Sequence, residues 1–308
     1  MPLYLTESDV EGLITAGEAV PVVEECFRRM AAGAVENVPR RRLAFDEGSF
    51  AVMSAVDREL GYAGSKTYLA TARKATFAVT LFGLDGVLVA VLEADAAGQR
   101  RTGAASGVAA KHLARRGATT LGVIGCGWQA QAQVEAIRAA VPTVERVLAY
   151  CRTTERLQAF CAENGVEPAE SAAEAGAQEI VVTITTSRDP VLRGEWLRAG
   201  ALVCAAGAND PRKRELDDVV LERASFVCCD SKDDARLESG DLIEPVQNGV
   251  LDWLEVHELQ EVVAGEVRGR ESDDDVVVFK SNGLAAWDVA IAAELVRRAR
   301  ERGVGTQL

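Results

Sequence analysis

Two glycines in the middle of the chain stand where a bound phosphate group could lie. The segment Gly125-Cys126-Gly127-Trp128-Gln129-Ala130 follows an apolar, β-branched run and precedes a helical stretch over residues 131–140. This order is typical of a strand, a tight turn and a helix, in which Gly125 allows the turn and Gly127 lets the backbone approach a pyrophosphate. Ala130 lets the helix pack closely on the strand, and the helix N-terminus faces the phosphates. We therefore predict a dinucleotide-binding site here.

The residues that follow the next predicted strand indicate which dinucleotide binds. Folds that select NAD place an acidic residue at the end of that strand, where it accepts hydrogen bonds from the ribose hydroxyls. Here the strand ends before Arg152 and Thr153, and Glu145 lies at its start, which is the wrong end. A guanidinium and a hydroxyl can instead contact a 2′-phosphate, so we predict that NADP(H) is preferred, with NAD(H) as the second option. The alternative is that Arg152 is a solvated residue that opens the next helix.

Composition and charge exclude several classes of protein. The 308 residues are 48% apolar and 26% charged, which is ordinary globular composition with enough length for two domains. A net charge of −13 argues against nucleic acid as a partner. No apolar run reaches membrane-spanning length and the N-terminus lacks signal-peptide features, so we expect a cytoplasmic protein that binds no membrane. Seven cysteines without paired-ligand spacing and two histidines predict reduced thiols and no metal site.

The pattern of predicted elements changes near residue 115. Before this point, short strands separated by turn signals predict an antiparallel sheet, with a packing helix over residues 17–33. After it, strands and helices alternate, which is typical of a doubly wound parallel sheet. The predicted fold class is therefore α/β, with a central Rossmann-type domain and a second domain of α+β type. The strands predicted before the change cover residues 50–53, 64–69, 77–82 and 87–92, the last two as a hairpin.

Several stretches, in their order and spacing, resemble the ornithine cyclodeaminase/mu-crystallin family over nearly the whole chain. They are Pro39-Arg40-Arg41, Gly64-Ser65-Lys66, Gln99-Arg100-Arg101-Thr102-Gly103-Ala104, Gly125-Cys126-Gly127-Trp128-Gln129-Ala130, Gly207-Ala208-Asn209-Asp210-Pro211, Arg214-Glu215-Leu216-Asp217 and Phe279-Lys280-Ser281-Asn282-Gly283. The resemblance implies a discontinuous substrate-binding and dimerisation domain over residues 1–115, completed by the C-terminal helix 284–308. It implies a Rossmann dinucleotide-binding domain over residues 116–283, and a homodimer.

The resemblance also implies roles for individual side chains. Arg41, or its neighbour Arg40, and Arg101 would clamp the α-carboxylate of a small amino or imino acid, a task that suits the bidentate guanidinium group. Lys66 would lie beside the substrate nitrogen or carbonyl, where burial near arginines lowers a lysine pKa towards the range useful for acid–base catalysis, although a strand lysine is ordinarily solvated. Asn209 would contact the substrate. Further cofactor contacts are implied for Thr102, Gln129, Ser281 and Trp128, the last with an equal claim to a packing role.

One position departs from the family pattern. Cyclodeaminases of this family carry a catalytic aspartate two positions before the proline of the loop that follows Gly207, and this sequence has Asn209 there. An amide cannot take a proton from a substrate ammonium group, so deaminating and cyclising chemistry is disfavoured unless Asp210 takes over that catalytic role. Reduction of an imine needs less from this position, because two arginines and Lys66 could hold the carboxylate and supply the proton.

We therefore expect an NAD(P)H-dependent reductase that converts a small imino acid into an α-amino acid, or catalyses the reverse oxidation. Ornithine cyclodeaminase, which eliminates ammonia and forms proline, is the second hypothesis, and a non-catalytic NADPH-binding protein like the crystallins is the third. Lys66, Arg41 and Arg101 favour catalysis. Two further charged residues are expected to have no catalytic role: Lys280, after three aspartates, is expected in a surface ion pair, and Asp288 is expected only to complement the final helix in which it lies.

Overall fold

The computed structural model describes residues 1–308, which divide into two compact units. The first unit comprises Met1–Arg101 and Leu284–Leu308, and the second comprises Thr102–Gly283. The division falls inside a long helix, Asp95–Leu113, whereas the sequence pattern placed it near residue 115. The two positions differ because the change from antiparallel to alternating elements becomes visible in the sequence only after that helix has ended. No helix combines the length and the apolar character needed to cross a membrane.

The first unit contains one sheet and the helices that cover it. Its strands are β1 (Leu3–Leu5), β2 (Val35–Phe45), β3 (Gly48–Asp57), β4 (Tyr62–Thr71), β5 (Ala75–Gly83), β6 (Leu88–Glu93) and β15 (Thr306–Gln307). Its helices are α1 (Glu7–Leu13), α2 (Ala16–Ala31), the first part of α3 (Asp95–Leu113) and α11 (Ala285–Arg302).

The sheet of the first unit has seven strands in the order β15-β1-β6-β5-β4-β3-β2. Strands β2 to β6 pair antiparallel, and β1 joins β6 in parallel. Helix α11 packs against strands β2 to β5 and against α2. At this contact the buried rings of Trp287 and Phe27 meet edge to face, with their centroids 5.3 Å apart. The buried face of the sheet therefore lies under α11.

The second unit alternates strands and helices. Its strands are β7 (Thr120–Ile124), β8 (Arg146–Tyr150), β9 (Glu167–Pro168), β10 (Ile180–Thr183), β11 (Leu202–Ala205), β12 (Ala224–Cys229), β13 (Val256–Glu258) and β14 (Val276–Lys280). Its helices are the remainder of α3, α4 (Trp128–Ala140), α5 (Thr154–Asn164), α6 (Ala172–Gly176), a 3₁₀ helix (Gly194–Trp196), α7 (Asp218–Glu222), α8 (Lys232–Glu238), α9 (Gly240–Gln247) and α10 (Leu259–Val263).

All eight strands of the second unit pair in parallel, in the order β13-β12-β14-β11-β10-β7-β8-β9. The central strands β10 and β11 are continuous runs of buried residues, because helices cover both faces of such a sheet. The chain passes from β7 to β8 on one side and then returns to place β10 on the other. This reversal is the switch point at which doubly wound sheets bind ligands, beyond the carboxyl ends of the strands. The predicted α/β fold class is confirmed.

Candidate active site

The glycine turn after β7 has the geometry that the sequence predicted. Gly125 has a φ of +120°, and a Cβ atom there would lie 2.3 Å from the carbonyl oxygen of Ile184. Only glycine fits this position without displacing the backbone of the loop after β10. The N–H of Gly125 donates to the carbonyl of Tyr150 at 2.8 Å, which ties the turn to the end of β8. The turn therefore joins the carboxyl ends of three neighbouring strands.

Helix α4 begins directly after this turn, at Trp128 rather than at the predicted residue 131. Gly127 is its N-cap and has no side chain with which to cap the first turn. A Cβ atom on Gly127 would meet no protein atom within 4 Å, so packing inside the protein does not require glycine there. Ala130 is fully buried. A helix N-terminus behind a glycine that faces open space fits the pyrophosphate of a dinucleotide.

A cleft of about 470 Å³ opens at the carboxyl ends of β7, β8 and β10. Two exposed arginines lie on its β8 side: Arg152, which the sequence predicted, and Arg156 in the first turns of α5. Thr153 also lines the cleft, and its side chain does not cap α5. Asp189 is the one carboxylate among the lining residues, and it comes from the loop after β10. The β8 side of the cleft is therefore positively charged where NAD-selective folds place an acidic residue.

The other predicted cofactor residues differ in how far they are exposed to solvent. Trp128 is 49% exposed and Gln129 is half-buried, with a side-chain Oε1 that is buried and accepts no hydrogen bond. Thr102 is buried in α3. Ser281 is buried after β14, where its hydroxyl donates to Asp230 Oδ2 at 3.2 Å. These side chains lie in the second unit, but none of them lines the cleft.

In the first unit, Lys66 is buried on β4 directly opposite Met53 of β3. A bulge in β2 between Val38 and Arg41 sets two residues, Pro39 and Arg40, against this same Met53. As a result, Arg40 is 6% exposed and its Nε contacts the Met53 sulfur at 3.3 Å, whereas Arg41 is exposed. The structure therefore places Arg40, and not Arg41, near the buried lysine.

Asp288 of α11 forms ion pairs with two buried cations of the first unit, Lys66 and Arg101. Its Oδ1 accepts from Lys66 Nζ at 3.0 Å and from Arg101 Nε at 3.2 Å, and the carboxylate is 1% exposed. The guanidinium of Arg101 also lies over the ring of Trp287, at 5.7 Å from its centroid. A Cβ atom on Gly98 would lie 2.5 Å from Lys66 Nζ, so glycine at this position leaves room for the ammonium group.

Burial and neighbouring charges shift the titration of this cluster. Burial is the largest influence on Lys66 and, with Arg101 and Arg40 nearby, lowers its pKa to about 8, although Asp288 opposes the shift. For Asp288, burial acts to raise the pKa, but the charges of Arg101 and Lys66 together outweigh it and the pKa is lowered. Lys66 thus titrates close to neutral pH, which suits a residue that donates and accepts protons.

In the loop after β11, Asp210 forms an ion pair with Arg212. Asp210 binds the guanidinium of Arg212 through both oxygens, at 2.9 and 2.7 Å, and this interaction holds its pKa well below the usual range. A carboxylate held in this way is a weak proton acceptor, which disfavours the catalytic role predicted for Asp210. The neighbouring Asn209 is exposed. Asn209 and Asp210 belong to the second unit, and the cluster of Lys66, Arg101 and Asp288 belongs to the first.

A buried network holds the same loop from behind. Glu215 accepts the N–H groups of Gly207 at 2.7 Å and Thr185 at 2.7 Å, which fixes the carboxyl ends of β11 and β10. Lys280 is fully buried, donates to the carbonyl of Ala208 at 2.6 Å and pairs with Asp241 at 3.0 Å. The surface ion pair predicted for Lys280 is therefore wrong, because β14 is an interior strand of the sheet.

Sequence reasoning missed two acidic residues that organise the candidate sites. Asp288 was expected only to complement the final helix, yet it pairs with Lys66 and Arg101; the available signal was a single carboxylate in the apolar stretch 285–292. Asp230 is buried and accepts the N–H groups of Asn282 and Gly283, each at 2.7 Å, but no local pattern marks it. No group of three or more histidine, cysteine, aspartate or glutamate side chains is arranged to hold a metal ion.

Known proteins share this architecture over the whole chain. The solved structure of Thermococcus litoralis Delta(1)-pyrroline-2-carboxylate reductase in complex with NADH and L-proline superposes with a TM-score of 0.93 at 31% identity, covering 99% of this chain and 100% of that one. An archaeal alanine dehydrogenase dimer with bound NAD also gives a TM-score of 0.93, at 36% identity, with 100% and 98% covered.

Sequence comparison gives the same picture. Delta(1)-pyrroline-2-carboxylate reductase of Bacillus cereus is 41% identical over 231 residues, which are 72% of this chain and 70% of that protein. The model of the ornithine cyclodeaminase/mu-crystallin family matches residues 2–303. The chain therefore belongs to the ornithine cyclodeaminase/mu-crystallin family.

Proposed function

We propose that this chain is an NAD(P)H-dependent oxidoreductase that reduces a small imino acid to an α-amino acid and catalyses the reverse oxidation. The observation that carries the proposal is the buried ammonium group of Lys66, which shares the Asp288 carboxylate with Arg101. Membership of the family supports it, as do the reductase and dehydrogenase relatives, whose names refer to pyrroline-2-carboxylate and alanine.

Reduction of an imine consumes one hydride and one proton. A reduced nicotinamide supplies the hydride when bound. Lys66 supplies the proton to the imine nitrogen, because a lysine with a pKa of about 8 is mostly protonated at neutral pH yet releases its proton far more readily than an ordinary lysine. In the oxidative direction, the neutral amine of Lys66 takes the proton back from the substrate nitrogen.

Two buried arginines of the first unit are suited to hold the substrate carboxylate. Arg101 contacts Asp288 through Nε, which leaves both terminal nitrogens of its guanidinium outside that ion pair. Arg40 lies in the bulge of β2 beside Met53, and its charge acts on Lys66. We therefore assign the second carboxylate contact to Arg40 rather than to the exposed Arg41.

The second unit carries the features that a nicotinamide dinucleotide needs. Gly125, Gly127 and the N-terminus of α4 would hold the pyrophosphate. Arg152 and Arg156 would face the 2′-phosphate of NADP(H), which is our basis for preferring that dinucleotide over NAD(H). The dimeric archaeal alanine dehydrogenase supports a homodimer, which light scattering on the purified protein would test.

No observation favours ornithine cyclodeaminase over the reductase. The position of the family's catalytic aspartate holds Asn209, and Asp210 is engaged by Arg212. A binding protein without activity would have no need for a buried lysine whose pKa lies near 8, since burial of an ammonium group is costly.

The test is oxidation of NADPH and NADH by the purified protein against cyclic imines and against oxo acids with ammonia or methylamine. We expect turnover with at least one imino acid and loss of that turnover in Lys66→Met, with dinucleotide affinity unchanged. Release of ammonia and proline from ornithine without net cofactor turnover would identify a cyclodeaminase instead. Tight NADPH binding without turnover in either assay would support the non-catalytic hypothesis.

A further inference from the structure

Asp288 uses its two oxygens unequally. Oδ1 accepts both Lys66 Nζ and Arg101 Nε, whereas Oδ2 is buried and accepts no hydrogen bond. The buried ion pair of Asp57 and Arg29, in the same unit, uses both carboxylate oxygens: Oδ2 accepts from Arg29 at 2.8 Å and Oδ1 from the N–H of Leu60 at 2.9 Å. An unsatisfied buried oxygen lowers stability. The contrast indicates that Asp288 is not present for stability alone.

Asp288 is the only negatively charged group among those that act on the pKa of Lys66. The charged groups that act on Lys66 come from three elements: Arg40 from β2, Arg101 from α3 and Asp288 from α11. From β5, the ring of Phe77 lies 5.4 Å from Nζ, and it carries no charge. Burial and both arginines therefore disfavour the ammonium form, and among these groups Asp288 alone favours it.

We propose that Asp288 is a positioning residue that acts through Lys66, holding its ammonium group in place and keeping it protonated for imine reduction. This inference rests on the proposed function. Without the Asp288 carboxylate, Lys66 would face two guanidinium groups in a buried site and would lose its proton at lower pH. The reductive reaction needs the protonated form, so its rate would fall at a lower pH than in the wild type.

The first measurement is the pH dependence of kcat/KM for imine reduction. In the wild type, activity falls as the pH rises through the Lys66 pKa, near 8. In Asp288→Asn, we expect this fall to move to lower pH by roughly one unit or more, the shift that an opposite charge at this distance supports. The matched control is Asp57→Asn, which breaks another buried ion pair of the same unit and should lower thermal stability without moving the pH profile.

The second measurement follows Lys66 itself, without turnover. The protein, labelled with ¹³C at the lysine ε-carbons, is titrated by NMR, and the Lys66 signal is assigned by its loss in Lys66→Met. A folded Asp288→Asn or Asp288→Ser protein should show a lower Lys66 pKa than the wild type. An unchanged Lys66 pKa in either folded variant overturns the inference. If the Lys66 pKa shifts but no imino acid is reduced, the inference about Asp288 stands and the proposed function fails.

Discussion

The ammonium group of Lys280 lies 3.0 Å from Asp241 Oδ2, and neither side chain is exposed to solvent. Each partner also holds backbone at the carboxyl end of the parallel sheet. Lys280 donates to the carbonyl of Ala208, and Asp241 Oδ1 accepts the N–H groups of Glu215 and Leu216 at 2.7 and 3.0 Å. The pair therefore anchors the loop that contains Asn209 and Asp210 to the interior of the second unit.

Loss of the Lys280 charge should destabilise the protein strongly. In Lys280→Met, Asp241 is left buried without its partner, so we expect the free energy of unfolding to fall by about 3–5 kcal/mol. Urea denaturation measures this change. Arg58→Ala is the control, because Arg58 pairs with Glu36 in an exposed bridge whose loss should cost less than about 1 kcal/mol. Equal losses in the two variants would show that the Lys280 pair contributes no more than a surface ion pair.

The bulge in β2 predicts different effects for two adjacent arginines. Arg40→Ala should raise KM for the imino acid by roughly 10- to 100-fold, since a hydrogen bond to a charged group contributes about 1.5–3 kcal/mol. Arg41→Ala should change KM little, because its side chain is exposed. Steady-state kinetics on both variants decide the assignment. A larger effect from Arg41→Ala would return the carboxylate contact to the residue first predicted from the sequence.

The arginines of the cleft predict the choice of dinucleotide. Arg152→Ala and Arg156→Ala should each lower kcat/KM for NADPH about 10-fold or more and leave that for NADH nearly unchanged, because only NADPH carries a 2′-phosphate. Arg146→Ala is the control: Arg146 is an exposed arginine at the other end of β8, paired with Glu167 at 2.8 Å. A wild-type enzyme that uses both dinucleotides equally, with no response to either cleft variant, contradicts the NADP(H) preference.

The two glycines of the turn should respond differently to alanine. Gly125→Ala forces a left-handed φ on alanine and a clash with the Ile184 carbonyl, so we expect loss of thermal stability together with loss of dinucleotide binding. At position 127 the backbone angles are ordinary and there is room for a methyl group. The Gly127→Ala protein should therefore keep its thermal stability and lose affinity for the dinucleotide. Thermal unfolding and titration calorimetry separate these effects. Unchanged affinity in Gly127→Ala would place the pyrophosphate elsewhere.

Local sequence was enough to predict the dinucleotide turn, because a strand, two glycines and a helix lie within one short stretch. The α/β fold class followed from the alternation of elements and is confirmed by the parallel sheet. The sequence left the choice between Arg40 and Arg41 open, since it depends on a bulge that reverses the face to which each side chain points.

Contacts between charged residues that lie far apart in the sequence could not be predicted. Asp288 contacts Lys66 across 222 positions of the chain, and no periodicity in helix α11 identifies that partner. The surface ion pair was predicted for Lys280 because acidic residues precede it in the sequence. In the structure, Lys280 lies on an interior strand of the parallel sheet. Both errors concern charged residues that only the tertiary fold buries. The roles of individual site residues remain predictions, and the variants above test them.

The central claim is that this chain transfers a hydride to the carbon of an imino acid. The most direct measurement uses NADPH that carries deuterium at the transferable position of the nicotinamide, together with an imino acid that the enzyme reduces. We predict an α-amino acid with one deuterium at its α-carbon, formed in equal amount to the NADP⁺ produced, and no such product with Lys66→Met. Amino acid formed without deuterium at the α-carbon, or without net consumption of the dinucleotide, would contradict the claim.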